Sequence, residues 1–306
     1  MQVCASGTHS DPVPHGVVLV KFGGSAITVK STPDTLRQEA LDSAADLVAK
    51  AYRAHAAGAG PMPLVVHGAG SFGHQLASQY GVAKGGLHTE PRVKEGLART
   101  RVSVAKLNVI VTSHLVERGV PAVSLPPMGV WETASGALPA SDADVAGIAQ
   151  VARVARAGLV PVLYGDCILD ADPAWGCSVL SGDTIITRLA SGLPEVRWAA
   201  FLTDVDGVLD RPPNEEGASV VRRVVVQSDG SWSADGADIR MEAAAHDVSG
   251  GIAGKVAEAA AMARAGTPVM IARWGTEAAE VALMGGPDAT EAAGDAWVGT
   301  AVLRSS

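Results

Sequence analysis

Cysteine is scarce in this chain: its 306 residues hold three, Cys4, Cys167 and Cys177. An odd number with no C-x-x-C pair argues against a disulfide framework and a thiolate metal site, and it fits the reduced thiols of a cytosolic protein. Positive charge is also short, with 24 Lys and Arg against 32 Asp and Glu and a formal net charge of −8. That balance excludes a general nucleic-acid surface, so an anionic substrate has to be met by a local cluster of lysines. No apolar run approaches the roughly 20 residues that span a bilayer. The first ten residues have neither the basic start nor the apolar stretch of a secretory signal. No solenoid-length repeat is visible, and no low-complexity tract beyond an alanine bias.

What the chain does have is a core and a rhythm. Hydrophobic residues make up 47% and charged residues 18%, ample for a large packed interior. Short apolar runs, several rich in valine, recur at 17–20, 64–66, 122–125, 159–163, 199–202 and 269–272. Each is too short for a buried helix and suits a strand covered on both faces. Alanine-rich segments at 37–57, 93–118, 143–157 and 252–265 alternate with them and have helical character. Twice an Ala-Arg-Ala-Gly sequence, at 155–158 and 263–266, leads straight into a valine-containing run, as a glycine does when it closes a helix before a strand. The alternation predicts an α/β sandwich around a mainly parallel sheet, as one large domain or two lobes sharing a sheet. Residues 207–246, with Pro212-Pro213 and a Ser-Asp-Gly-Ser turn, break the rhythm and predict a β-hairpin-and-loop excursion. Residues 1–15, polar and proline-containing, read as a disordered leader.

Five segments carry chemistry. In Leu64-Val-Val-His-Gly-Ala-Gly-Ser-Phe-Gly-His74, a strand runs into a glycine turn and then a helix start. Such a turn holds an anion on backbone N–H groups, and His74 adds a side-chain donor beside it. The same stretch satisfies G-x-G-x-x-G, but a dinucleotide fold wants an acidic residue at the end of a strand about 20 positions on. Glu90 is the nearest, and it is followed by Pro91 with no strand before it. Val18-Leu-Val-Lys21-Phe-Gly23-Gly24-Ser25, with Lys30 beyond, repeats the strand-to-glycine pattern and supplies two lysines for a transferring phosphoryl group. In Leu180-Ser-Gly-Asp183, the aspartate either caps a helix or orients lysines that would otherwise repel each other. Phe201-Leu-Thr-Asp204-Val-Asp206-Gly207 lacks the remaining ligands of a calcium loop and fits a strand-end turn against a nucleotide. Val248-Ser-Gly-Gly251-Ile-Ala-Gly-Lys255 is too short in its spacing for a Walker A motif, yet it places glycines and a lysine at a helix start. Glycine loops with three lysines and one histidine, and no paired Cys/His cluster, suit phosphoryl transfer, which rests on positioning and charge neutralisation.

Taken together, these segments resemble the amino acid kinase superfamily and, within it, the isopentenyl phosphate kinases. The resemblance runs over nearly all of residues 17–303. It also takes in Tyr80-Gly-Val-Ala-Lys-Gly-Gly, Leu107-Asn108, Gly119-Val-Pro-Ala-Val, Leu163-Tyr-Gly-Asp and Trp297-Val-Gly-Thr. Asp210-Arg-Pro-Pro, Gly230-Ser-Trp and Ala244-Ala-His-Asp look most like the plant and algal branch. The resemblance implies an open αβα sandwich and a homodimer. It implies an N-terminal lobe at 16–193 that binds the phosphate acceptor and a C-terminal lobe at 194–306 that binds ATP. By motif, Lys21, Gly23, Gly24 and Ser25 would contact ATP phosphates, together with Gly70, and Lys30 would steady charge in the transition state. His74 would hydrogen-bond the acceptor's phosphate, with Ala69, Gly70 and Gly182 as backbone contacts. Asp183 would organise the lysines, while Asp204, Gly251 and Lys255 would serve the nucleotide. Mg²⁺ would come with the ATP phosphates rather than through protein ligands. The implied substrates are isopentenyl phosphate and ATP, in the cytosol, without nucleic acid or membrane.

Two departures from the family pattern stand out. Ala69 replaces a glycine that many relatives have, which is tolerable only if its φ stays negative. Ile252 replaces a usual methionine, a change of packing rather than chemistry. His74 points to an acceptor that already carries a phosphate, because kinases of carboxylates or carbamate need no such donor. A fosfomycin-type phosphonate kinase shares the histidine and is the nearest alternative; a non-catalytic nucleotide sensor on the same fold is another. A hydrocarbon-tail pocket is expected from helices around residues 76–115.

Overall fold

In the computed structural model, which describes residues 12–211, 215–234 and 252–305, all six residues of β1 (Val17–Phe22) are buried. A strand with both faces covered belongs in the middle of a sheet, and there it lies. The chain continues through α1 (Gly24–Ile27), α2 (Gln38–Ala56), β2 (Met62–His67), α3 (His74–Tyr80) and α4 (Pro91–Glu117). Next come β3 (Ala122–Ser124), α5 (Asp142–Arg156), β4 (Val160–Tyr164), the antiparallel pair β5 (Asp166–Leu169) and β6 (Cys177–Leu180), and α6 (Gly182–Gly192). Then β7 (Val196–Thr203), β8 (Val208–Leu209), β9 (Val220–Val221), β10 (Arg223–Val226) and β11 (Trp232–Ala234) follow. The chain closes with α7 (Ile252–Arg264), β12 (Val269–Arg273), α8 (Glu277–Met284), α9 (Gly286–Ala293) and β13 (Thr300–Arg304).

Among the described residues the main sheet has nine strands in the order β11-β10-β13-β12-β7-β1-β2-β4-β3. All neighbours are parallel except the pairs β10/β11 and β12/β13. Side chains alternate across it, as the two-residue period of a strand requires. Val17 and Leu19 face α5, α6 and α7, packing with Val151, Ile186, Leu189 and Val256. Val18, Val20 and Phe22 face α2, α4 and α8, packing with Leu41, Val48, Leu107, Val111 and Leu283. This is the expected open αβα sandwich. The six strands and four helices read from the sequence all form, with ends shifted by a few residues.

The excursion at 207–246 is revised. β8 pairs with β9, and β10 turns back into β11, but β10 also pairs in parallel with β13 and so extends the main sheet. Residues 212–214, with the Pro212-Pro213 pair, and 235–246 of that stretch lie outside the described residues, as do 1–11 of the expected leader. The described end of that leader is packed: Val13 is buried in the core against the β1 face. An apolar side chain with core to cover is drawn in, whatever the polarity of its neighbours.

The strand order fixes where a site belongs. From β1 the chain moves to β2 on one side, whereas β7 lies on β1's other side and leads outward to β12. Where the order reverses, the loops after neighbouring parallel strands diverge and leave a crevice at their carboxyl ends. The loops after β1, β2 and β7 border it. No described helix is long and apolar enough to cross a membrane.

Candidate active site

Both sequence-identified glycine loops open onto this crevice, and they touch. Phe22 and His67 are register partners at the ends of β1 and β2, and the Gly68 N–H donates to the Phe22 carbonyl at 3.0 Å. A Cβ on Gly24 would stand 2.6 Å from the Gly70 nitrogen, and one on Gly68 would stand 2.8 Å from the Gly24 nitrogen. Gly70 has φ +52° and would press a Cβ to 2.7 Å from the Gly24 carbonyl oxygen. Glycine is therefore demanded by backbone-to-backbone contact. Thr28, fully buried, joins the loops: its hydroxyl accepts from the Ser71 N–H at 3.0 Å and donates to the Gly24 carbonyl at 2.7 Å. Ala69 has φ −71° and ψ −28°, so its methyl fits without strain, as its sequence position required.

Charge is gathered around the loops. Odd residues of β1 face α5–α7, so Lys21 points there too, beneath the crevice. Its Nζ lies 2.6 Å from Asp183 on α6, 2.5 Å from Glu258 on α7 and 4.5 Å from the centre of the Phe201 ring. The Lys21 and Glu258 side chains are each 8% exposed, and that of Asp183 is 60% exposed. The helix α6 is capped by Ser181, whose hydroxyl accepts from the Thr184 N–H at 3.0 Å. Asp183 therefore is not the cap, and its carboxylate is left to hold Lys21. Lys30 stands exposed on the loop closed by the Thr28–Leu36 bridge, and its carbonyl accepts from the Gln75 side-chain amide at 3.0 Å. That loop is tied to α4 by Ser103 donating to Asp34 at 2.7 Å. His74 heads α3 at the open side of the crevice. Partial burial lowers its pKa most; Asp183 opposes that shift and Lys30 adds to it, so both charges lie within reach of the imidazole.

A cavity of about 650 Å³ joins these parts and is lined by Lys21, Gly23, Gly24, Ser25, Lys30, Ala69, Gly70, His74, Gly182 and Asp183. It continues between α3, α4 and the β5–β6 pair, where Ala77, Thr100, Val104, Cys167 and Val179 line it. The expected helical wall is present, but the β5–β6 wall was not foreseen. Arg101 holds that pair to α4 through Asp166, at 3.2 Å. Burial raises the Asp166 carboxyl and pushes the Cys167 thiol up to about 12, so that thiol stays protonated at the pocket wall.

Asp204 stands apart from this lining. It is half-buried after β7, next to the lining residue Thr203. Gly251 lies outside the described residues, and Lys255 is described only as a backbone position in the first turn of α7. Among the described residues no group of three or more His, Cys, Asp or Glu could hold a metal ion. Sequence reasoning missed Thr28 and Glu258. Glu258 had a signal: it is the one acidic residue of α7 and follows Lys255 by three, on the same side of a helix.

Comparison with known proteins agrees with this geometry. The model of the amino acid kinase family matches residues 16–273. An Arabidopsis thaliana isopentenyl phosphate kinase is 41% identical over 79% of this chain and 73% of its own length. The chain belongs to the amino acid kinase family, in its isopentenyl phosphate kinase branch. A second member of that branch, from Methanothermobacter thermautotrophicus, is 32% identical over 82% of this chain and 88% of its own. A solved isopentenyl phosphate kinase structure superposes with a TM-score of 0.71 at 27% identity, covering 93% of this chain and 99% of that one. The family match begins at the foot of β1 and ends with β12, so it spans both loops of the crevice.

Proposed function

We propose that this protein transfers the γ-phosphoryl group of ATP to isopentenyl phosphate, forming isopentenyl diphosphate for isoprenoid precursor synthesis. The observation that carries the reading is the pair of abutting glycine loops at the head of one cavity whose far end is apolar. Two phosphate cradles in contact suit a donor and an acceptor that both carry phosphate. The apolar end suits a short hydrocarbon tail, each buried CH₂ of which contributes about 0.8 kcal/mol. Kinase relatives and the lysines on either side of the first glycine turn, Lys21 and Lys30, support ATP as the donor, and ATP would supply the phosphoryl group for direct in-line transfer. The backbone of Gly23, Gly24 and Ser25 and the ammonium groups of Lys21 and Lys255 would hold the donor's phosphates. Asp204 and Gly251 would serve the nucleotide. Lys30 would neutralise charge on the oxygens between donor and acceptor. Asp183 would keep Lys21 oriented, and His74 with the N–H groups of Ala69, Gly70 and Gly182 would fix the acceptor's phosphate. Mg²⁺ commonly keeps its waters and binds through substrate phosphates, so a site without a protein cage fits it; when bound it would offset phosphate charge.

The lobe at 16–193 would thus bind the acceptor while lending Lys21, Gly23, Gly24 and Ser25 to the donor's phosphates, and the lobe at 194–306 would bind the nucleotide. A homodimer is supported by α4. Its inner side packs on the sheet, yet Val102, Val109 and Val116 are exposed on the other, seven residues apart, with Ala98 before them and Ala105 between the first two. A seven-residue apolar seam fits a second helix of the same kind. A cytosolic setting fits the free, buried thiols of Cys167 and Cys177. Coupled ATP turnover with isopentenyl phosphate, dimethylallyl phosphate, fosfomycin and small carboxylates in parallel tests the reading. The isoprenoid monophosphates should be turned over; preference for fosfomycin, or ATP binding with no product, would overturn it.

A further inference from the structure

β2 ends on a histidine that the proposed reaction leaves without a role. His67 is fully buried on the α4 side of the sheet, and its ring stacks on Tyr164 of the neighbouring β4 at 5.6 Å and an interplanar angle of 12°. Its nitrogens have different partners. Nδ1 lies 3.0 Å from the Gly68 carbonyl oxygen, and Nε2 lies 3.0 Å from the side-chain nitrogen of Asn108 on α4. A carbonyl oxygen can only accept, so Nδ1 must carry the hydrogen. Burial pushes the imidazole down to about 4, so the ring is neutral at neutral pH and Nε2 keeps its lone pair. The Asn108 amide supplies the hydrogen that this lone pair accepts. One tautomer satisfies both contacts; the other would set two acceptors, Nδ1 and the Gly68 oxygen, against each other.

The consequence falls on the loop. In a trans peptide the C=O and the following N–H point opposite ways. Drawing the Gly68 carbonyl back toward His67 therefore turns the Ala69 N–H outward. Ala69 lines the cavity, and its nitrogen lies 3.7 Å from where a Cβ on Gly165, another lining residue, would stand. The corner that the N–H faces is kept open by that glycine. The Gly165 N–H in turn donates to the His67 carbonyl at 3.0 Å, which ties the loop after β4 to the same residue.

We propose that His67, locked as its Nδ1–H tautomer by Asn108, is a positioning residue that aims the Ala69 N–H at the acceptor's phosphate. This rests on the reading that loop 68–70 holds that phosphate. His74 would touch the acceptor, while His67 acts only through the peptide it turns.

The test has two arms. Long-range ¹H–¹⁵N spectra of the ligand-free protein should show His67 as the Nδ1–H tautomer at neutral pH. Steady-state kinetics then compare His67→Asn, whose amide nitrogen can take the place of Nδ1, with His67→Gln, whose amide takes the place of Nε2. His67→Gln should raise KM for isopentenyl phosphate about tenfold, the scale of one hydrogen bond to a charged group, with a smaller change in kcat. His67→Asn should keep that KM within about threefold despite leaving more empty space. Asn108→Ala, which leaves β2 intact, should raise the same KM and populate the second tautomer. A purely packing role would make the smaller asparagine the worse variant and would move KM and melting temperature together. That result, or an Nε2–H tautomer in the wild type, overturns the proposal. Absence of wild-type turnover counts instead against the proposed reaction, since the ligand-free tautomer bears on the inference alone.

Discussion

His74 and Lys21 carry opposite lessons about single residues. His74 sits at the rim of the crevice with its pKa lowered chiefly by partial burial, so it enters the site neutral and offers an N–H. An acceptor dianion beside it would favour the charged imidazole, so its pKa should rise on binding isopentenyl phosphate, as an NMR titration with and without the ligand would read. His74→Ala should lose on the order of 10²-fold in kcat/KM for the acceptor, the scale of one charge-stabilising donor, with little change in KM for ATP. Near-normal turnover by that variant would remove the assigned role. Lys21 is the reverse case, a buried ammonium between two carboxylates, of which only Asp183 faces the open site. Neither partner could be chosen from the strand motif that contains Lys21. The pairing depends on two helices that meet under β1 only when the sandwich is assembled.

Among the elements, the glycine turns depend on a residue outside both motifs. Thr28 accepts from one loop and donates to the other. Thr28→Val keeps the shape but strands the buried Ser71 N–H, while the Gly24 carbonyl keeps its bond from the Thr28 N–H. It should cost about 2 kcal/mol in urea unfolding and weaken turnover, because the two cradles lose their spacing. An unchanged unfolding midpoint would show that the pin is dispensable. Helix α4 is the second case. Its 27 residues bury one side against β3, β4 and the core and leave the valine seam on the other. Val109→Glu should convert a dimer to a monomer by light scattering, since a carboxylate at the centre of an apolar seam loses its water without a partner. A wild type that is itself monomeric would remove the proposed interface.

Across the whole molecule, His67 makes stability depend on pH. Its ordinary value of 6.5 falls to about 4 in the fold. Between those values the unfolded chain binds a proton that the folded chain refuses, so acidification favours unfolding. The effect begins as pH drops below 6.5 and reaches about 3 kcal/mol below the folded value, while above 6.5 it vanishes. Unfolding of wild type and His67→Asn between pH 7 and 4.5 should show a steeper loss in the wild type. Parallel curves would mean that the imidazole is not buried as neutral.

The order of strands and helices was legible because a parallel α/β sheet writes itself locally. Valine-rich runs such as 17–20 and 269–272 can be covered on both faces only as central strands, and Ala-Arg-Ala-Gly closes a helix wherever it stands. The glycines and the two lysines before α2 were legible for a similar reason, since a phosphate loop needs backbone approach that few residues permit. Thr28 and the β5–β6 wall were not, because each acts on segments distant in sequence and carries no pattern of its own; the spacing of Glu258 from Lys255 does not name Lys21, 237 positions away, as its partner. Local chemistry therefore determined that this chain carries glycine loops of a kind suited to phosphate, with lysines and a histidine beside them. Only the tertiary structure decided that two of those loops share one cavity, that Glu258 joins the expected Asp183 on Lys21, and that His67 turns a peptide rather than meeting a ligand. Contacts between distant segments are selected by the packing of the whole sheet, and no window of sequence contains them.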